Sequence, residues 1–159
     1  MNKLTAQQIL EIAEKNWSND NFGEAQWSEL EDDSVVTIDQ EKVEQVQKAK
    51  DDFWKEIEPK LPNSNRVNDP LFKQWQNMPS RYEESDRQIL EQLGLGKVVT
   101  VEDYGGEGKG SDYYSVKHFV DHDVYIRTDG WYASYEGGTY DNGYGYEVRP
   151  TEKTVIVYI

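Results

Sequence analysis

The chain changes its residue pattern at residues 97–128, KVVTVEDYGGEGKGSDYYSVKHFVDHDVYIRT. From this point Val, Ile, Thr and Tyr alternate with polar residues, which is typical of strands that bury one face. We predict strands over residues 98–102, 113–120 and 124–128. The glycine-rich residues 104–110 separate the first two of these, so the pattern predicts an antiparallel sheet.

The dipeptide Asp129-Gly130 predicts a two-residue hairpin turn after the third strand. With that turn, Arg127 would face Tyr132 and Tyr125 would face Ser134 on one side of the ribbon. The other side would form the core, with Val124, Ile126, Thr128, Trp131, Ala133 and Tyr135. Gly137-Gly138 and Asn142-Gly143 predict further turns, and the apolar residues 155–158 predict a central strand.

The residues before position 97 have helical spacing. Thr5 and Gln8 form a capping box for a first helix, and residues 23–30 predict a short second one. A long helix is predicted over residues 39–58, from the stripe Val43, Val46, Lys50, Phe53, Trp54 and Ile57. Further signals are Asp69-Pro70, which predicts the start of a short helix, and Ser80 or Ser85 as the N-cap of a last helix, which Gly94 ends. We therefore predict an α+β protein, with an acidic helical region at residues 1–96 and an aromatic antiparallel β-domain at residues 97–159.

The composition is strongly acidic, with 31 Asp+Glu against 17 Lys+Arg in 159 residues, a formal charge of −14, and no cysteine. Direct binding to nucleic acid or to acidic membranes is disfavoured, and a basic protein partner is favoured. The same acidity also keeps a protein in solution. Without cysteine the chain has no disulfide, thiolate metal site or cysteine nucleophile. We find neither a signal peptide nor an apolar run long enough to span a membrane, so we expect a cytoplasmic protein.

Motifs for chemistry are weak. The loop at residues 105–110 lacks the order of a phosphate-binding loop, because Gly110 separates Lys109 from Ser111 and a strand follows. His118 and His122 are too far apart on an extended strand to share an ion, unless the chain turns at Asp121. We find no catalytic motif, and therefore expect no enzyme, no cofactor and no metal.

Residues 99–159 contain the segments YGGEGKG, DHDVYI, DGWYASY and EVRPTEKTVIVY. In these segments the chain resembles small β-rich proteins of uncharacterised function that are encoded by many tailed bacteriophages. The resemblance implies a phage protein and carries no catalytic residue with it. Small acidic phage proteins include inhibitors of host nucleases and anti-CRISPR proteins, some of which imitate DNA.

These observations predict an acidic inhibitor of a basic host protein, such as a nuclease or CRISPR effector, whose DNA or RNA site it occupies. The predicted partner-binding residues are Glu29, Glu31, Asp32, Asp33, Glu41, Glu44, Asp51, Asp52, Glu56, Tyr125 and Tyr132. Two alternatives stay open at this point. One is a phage structural or accessory protein, and the other is a module that binds a small ligand or metal near the glycine-rich loop and His118 and His122.

Overall fold

The structure is a computed structural model that describes residues 2–159. It divides into two compact units. Unit 1 contains the residues before Val35 together with Leu95–Ile159, and unit 2 is Val35–Gly94. The fold class is α+β, as predicted, with helices mainly in the first part of the chain and an antiparallel sheet after them.

The helices of unit 1 are α1 (Ala6–Asn16) and α2 (Asn19–Gly23). The capping box of α1 is present, with Thr5 and Gln8 each bonded to the other's backbone N–H. The short helix predicted over residues 23–30 is wrong: α2 ends where that helix was to begin. The hydroxyl of Ser18 accepts a hydrogen bond from Asn21 N at 3.2 Å. This N-cap starts the helix within the polar run Ser18-Asn19-Asp20-Asn21, which has no apolar periodicity.

The sheet of unit 1 has five antiparallel strands. They are β1 (Val98–Tyr104), β2 (Asp112–Phe119), β3 (Val124–Ala133), β4 (Gly137–Thr139) and β5 (Tyr146–Val148). β1 lies at one edge next to β2, and β2 pairs with β3. The other side of β3 pairs with both β4 and β5.

The hairpin turn predicted at Asp129-Gly130 is wrong. Asp129 and Gly130 lie inside β3, paired with Tyr114 and Tyr113 of β2, so they form no hairpin turn. The turn lies instead between β3 and β4, where Glu136 N donates to Ala133 O. A long partner strand on one side thus overrides a local turn signal.

The apolar C-terminal run forms no strand. Residues 149–159 lie outside regular structure, and Val155, Ile156 and Val157 are 67%, 75% and 72% exposed. No position beside β3 is left for a central strand from these residues, because β3 pairs with β2 on one side and with β4 and β5 on the other.

The core of unit 1 is aromatic. Trp17, Phe22 and Trp27 form a cluster with ring centroids 5.1–6.2 Å apart, and Phe22 stacks on Phe119 of β2 at 6.4 Å. These contacts place the first two helices in the same unit as the sheet. The predicted division into residues 1–96 and 97–159 therefore differs from the two units, although the first strand does begin at Val98.

Unit 2 contains α3 (Gln40–Ile57), α4 (Pro70–Gln76) and α5 (Arg81–Gln92). The predicted N-cap at Asp69 is present, Ser80 rather than Ser85 caps the last helix, and Asp39 caps α3. The stripe on α3 faces inward, and Trp54 packs against Trp75 of α4 at 4.7 Å. Lys50, predicted as part of this stripe, donates to Met78 O at 2.9 Å.

Candidate functional site

The predicted acidic contact residues fall into both units. Glu29, Glu31, Asp32 and Asp33 belong to unit 1, and the five on α3 belong to unit 2. All nine carboxylates are exposed. Acidity is unevenly divided: the sequence of unit 1 has 19 acidic and 8 basic side chains, while unit 2 has 12 and 9. The net charge is thus −11 in unit 1 and −3 in unit 2, which contains the long helix α3.

The acidic loop, residues 29–33, has a fixed backbone. Glu31 N donates to Asn16 O at 2.8 Å, and the amide of Asn21 donates to Glu29 O at 3.2 Å. Just before the loop, the buried indole of Trp17 donates to Trp27 O at 2.9 Å. Among residues 2–159, no cation lies within ion-pair distance of these four carboxylates. The loop therefore presents uncompensated negative charge from a defined position.

Three of the five carboxylates on α3 have a cation within ion-pair distance. Asp52 accepts from Lys48 at 2.6 Å, and this hydrogen bond lowers the pKa of Asp52 below its usual value. Glu44 and Glu56 lie 3.9 Å from Arg81 and Lys60. Asp51 accepts from the amide of Gln47 at 2.8 Å. Of the five, only Glu41 has no such partner in the described part of the chain.

Tyr125 and Tyr132 do not share a face. Both lie on β3, seven positions apart, and alternation along a strand directs residues at odd separation to opposite sides. The Tyr125 ring stacks on His118 with centroids 4.0 Å apart. The hydroxyl of Tyr132 donates to Glu107 of the glycine-rich loop at 2.8 Å, which raises the pKa of Tyr132. The shared side predicted from the hairpin turn is therefore wrong.

The two histidines have separate roles. His118 lies 3.2 Å from Asp123 through its Nε2, whereas the buried His122 accepts a hydrogen bond from Leu4 N at 2.9 Å. A 3₁₀ turn at Val120–His122 separates them. Within residues 2–159, no group of three or more His, Asp or Glu side chains is arranged to hold a metal ion.

The outer face of the sheet carries an aromatic cluster whose residues are not among the predicted contact residues. The guanidinium of Arg127 lies 3.8 Å from the centre of the Tyr114 ring. The ring of Tyr104 stacks on the ring of Tyr114, with centroids 5.4 Å apart. Tyr114 also donates to Glu102 at 2.6 Å, and this bond raises its pKa. The signal available in the sequence was the alternation of Tyr104, Tyr114 and Arg127 with inward residues, but it needs the correct register.

A pocket of about 240 Å³ opens at one end of the sheet in unit 1. Its wall residues include Glu24, Thr100, Asp103, Tyr104, Tyr113 and Tyr140. Tyr113 donates to Glu24 at 3.0 Å and packs on Tyr140 with ring centroids 4.8 Å apart. Among residues 2–159, no group donates a hydrogen bond to, or forms an ion pair with, the side-chain carboxylate of Asp103. The pocket thus joins two carboxylates from different elements with the rings of Tyr113 and Tyr140.

A buried lysine lies in the core beside this pocket. Lys117 is 1% exposed, and its ammonium donates to Gly23 O and to the Ser115 hydroxyl, the latter at 2.7 Å. Burial lowers the pKa of Lys117 to about 8, against the opposing influence of Asp103 and Glu24. The sequence does hold a signal for this residue, since Lys117 alternates with His118 and shares the inward side with Phe119. An inward lysine on a half-buried strand is unusual.

Gly23 makes the close packing beside the pocket possible. A Cβ at this position would lie 2.3 Å from the ring of Tyr140, so any side chain would displace that tyrosine. The Tyr140 ring is 3% exposed, and its backbone N donates to Asp20 at 2.9 Å. The wall formed by Tyr140 therefore depends on a glycine at the end of α2.

No helix in the described residues is long and apolar enough to cross a membrane. Comparison with known protein families, with curated proteins and with solved structures found no match to this chain.

Proposed function

We propose that this chain is a bacteriophage-encoded inhibitor that binds a basic, nucleic-acid-handling defence enzyme of the host, such as a nuclease or a CRISPR effector. Its carboxylates would occupy the part of the enzyme that normally holds DNA or RNA. The observation that carries the proposal is the acidic loop, in which Glu29, Glu31, Asp32 and Asp33 are exposed, fixed by their backbone and free of ion pairs with residues 2–159. The phage-like segments of residues 99–159 supply the biological setting.

Electrostatics gives this arrangement a specific advantage. A lysine- or arginine-rich channel attracts negative charge over long range, and the attraction raises the association rate. A carboxylate that already has a cation beside it must lose that partner before it can bind another. Uncompensated carboxylates on an ordered loop do not have this cost. The loop is therefore a better contact surface than α3, where Asp52, Glu44 and Glu56 have cations nearby.

The proposal involves binding alone and assigns no catalytic step. The site of action would be the cytoplasm of the bacterial host, where defence enzymes meet incoming nucleic acid. Because the interaction is between charged surfaces, its affinity should fall as the salt concentration rises.

The first test is affinity capture from a bacterial lysate that contains defence enzymes, with elution by salt in the presence or absence of excess duplex DNA. A captured enzyme is then purified, and its cleavage of nucleic acid is measured with and without this protein. Release by both salt and DNA, together with inhibition of cleavage, supports binding at the nucleic-acid site. An enzyme that stays bound in excess DNA would place the contact at another surface.

A pair of charge-matched variants tests the acidic loop. The first replaces Glu29 and Glu31 by Gln and Asp32 and Asp33 by Asn. The control makes the same change of charge at four carboxylates that have cation partners, Glu44, Asp52, Glu56 and Glu91. We expect the loop variant to lose affinity by roughly tenfold to a hundredfold, and the control to lose much less. Equal losses would mean that overall charge, rather than the loop, drives binding.

The two alternatives predict different results. A virion component would co-purify with phage particles and would not bind basic host enzymes. A small-ligand module would melt at a higher temperature in the presence of its ligand. The pocket beside Lys117 is the feature that favours the second alternative, and its chemistry also fits the proposed partner.

A further inference from the structure

We propose that the pocket between Glu24 and Asp103 is a binding site for a guanidinium group, supplied by an arginine side chain of the partner protein. This inference rests on the proposed function for the source of the arginine, while the binding chemistry stands on the pocket itself.

The size of the pocket fits one side chain. Its volume of about 240 Å³ is below the range that is typical for pockets of drug-sized ligands. The pocket lies wholly within unit 1, so its walls belong to one compact body. A single long side chain inserted from a partner is the occupant that this volume admits.

The charge of the pocket selects a cation. Glu24 and Asp103 each contribute a negative charge, and they come from the end of α2 and from the edge strand β1. The residues that line the pocket include no lysine or arginine. Of the two side chains that donate to Gly23 O, those of Ser115 and Lys117, only Lys117 is basic. Charged or neutral, it leaves the pocket with a net negative charge.

The shape of the ligand is set by the remaining walls. A guanidinium group is planar, stacks on aromatic rings and donates in a fork to two oxygens at once, which an ammonium cannot do. Tyr113 provides an aromatic ring at the pocket wall, and it also holds Glu24 in place through its hydroxyl. Both carboxylate oxygens of Asp103 are available for such a fork, since no group within residues 2–159 donates a hydrogen bond to them. The combination favours arginine over lysine.

The test uses the full chain and N-acetyl-arginine amide as the probe, followed by ¹⁵N–¹H correlation spectra at constant ionic strength. We expect saturable shifts at the amides of Gly23 and Gly105, which line the pocket. The uncharged analogue N-acetyl-citrulline amide should cause no saturable shift, and N-acetyl-lysine amide should bind more weakly than the arginine probe. Equal binding of the citrulline analogue would overturn the proposal, as would shifts confined to residues 29–33.

Neighbouring residues of β1 supply a matched pair of variants. Asp103→Asn removes one carboxylate from the pocket, and Glu102→Gln removes one from the opposite face of the strand, where Tyr114 donates to it. We expect Asp103→Asn to weaken the arginine probe about fivefold and Glu102→Gln to leave it unchanged. Both residues are exposed, and the same spectra report whether each variant is folded. Equal effects would refute a specific pocket.

Failure of this inference can be told apart from failure of the proposed function. If a captured enzyme binds Asp103→Asn as well as the wild type but releases the acidic-loop variant, the inhibitor proposal stands and the arginine pocket falls. If the arginine probe saturates the pocket while no basic enzyme is captured, the pocket stands and the inhibitor proposal falls.

Discussion

Lys117 should make the stability of unit 1 increase with pH between pH 7 and 9. The side chain is buried to 1% exposure, and its pKa falls from an ordinary 10.5 to about 8 because burial penalises the charged form. In this pH range the unfolded chain keeps the proton, whereas the folded chain begins to release it. The unfolded state therefore binds more protons, and the free energy of unfolding must rise with pH.

The size of the effect follows from the two pKa values. With 10.5 in the unfolded chain and about 8 in the folded chain, the linkage relation gives an increase of about 1.3 kcal/mol from pH 7 to pH 9. Charging the buried amine costs up to about 3 kcal/mol at pH 7 by the same relation. The gain is largely complete once the pH exceeds 10.5. Tyrosines with raised pKa values act in the opposite direction near pH 10, so the measurement should stop at pH 9.

The assay is urea unfolding at pH 7 and pH 9, followed through the indole N–H signal of Trp17, which is buried in unit 1. The comparison variant is Lys117→Met, which has no titrating group at this position. It also loses the hydrogen bonds to Gly23 and Ser115, but that loss does not depend on pH. We expect wild-type stability to rise by about 1.3 kcal/mol more than that of the variant. Parallel pH dependence in the two proteins would refute the reasoning, because it would mean that the ammonium is solvated.

Three further predictions concern other groups. Burial and the nearby Glu83 raise the pKa of Asp86 to about 6, so the charged carboxylate destabilises the folded protein above that pH. We therefore expect Asp86→Asn to stabilise unit 2 by about 1–2 kcal/mol at pH 7. Urea unfolding should show that this gain disappears as the pH falls from 6 to 4. Gly23→Ala places a Cβ 2.3 Å from the Tyr140 ring and should cost about 1–3 kcal/mol of unit 1 stability in the same assay. The affinity for the arginine probe should rise between pH 7 and 9, because Lys117 loses its charge beside Glu24 and Asp103. In an NMR titration, Lys117→Met should remove this rise. An unchanged affinity in the wild type would contradict the prediction.

The helices were predictable because their signals are local. Thr5, Asp39, Asp69 and Ser80 all cap helices in the structure as their sequence contexts indicate. A cap depends on a hydroxyl or carboxylate and on backbone donors two or three residues away, so no distant part of the chain can change it. The α-helix α2, capped by Ser18 and beginning at Asn19, was not predicted because it is too short to show periodicity.

The sheet was predictable only in part, because pairing depends on distant partners. The dipeptide Asp129-Gly130 is a strong hairpin signal by itself, but β2 extends to Asp112 and pairs with β3 through Trp131. Continuing the ladder satisfies backbone groups that a turn would leave without partners. Sequence reasoning could not weigh this ladder without knowing its register. The strand predicted at residues 155–158 was wrong for a related reason. Composition shows that these residues prefer a strand, but it does not show whether another strand is available to pair with them.

The predicted contact residues illustrate the same distinction between composition and arrangement. Exposure of the nine carboxylates followed from their charge, and the structure agrees. The cation partners followed only in part: Lys48–Asp52 and Glu56–Lys60 are spaced four residues apart on a helix, whereas Glu44 meets Arg81 of another helix, which no spacing rule identifies. The structure separates a loop whose four carboxylates have no cation within residues 2–159 from a helix whose carboxylates mostly do. Because a charge that already has a partner contributes little to a new complex, the loop at residues 29–33 and the pocket at Asp103, rather than the long amphipathic helix, are the places where substitutions should alter binding most.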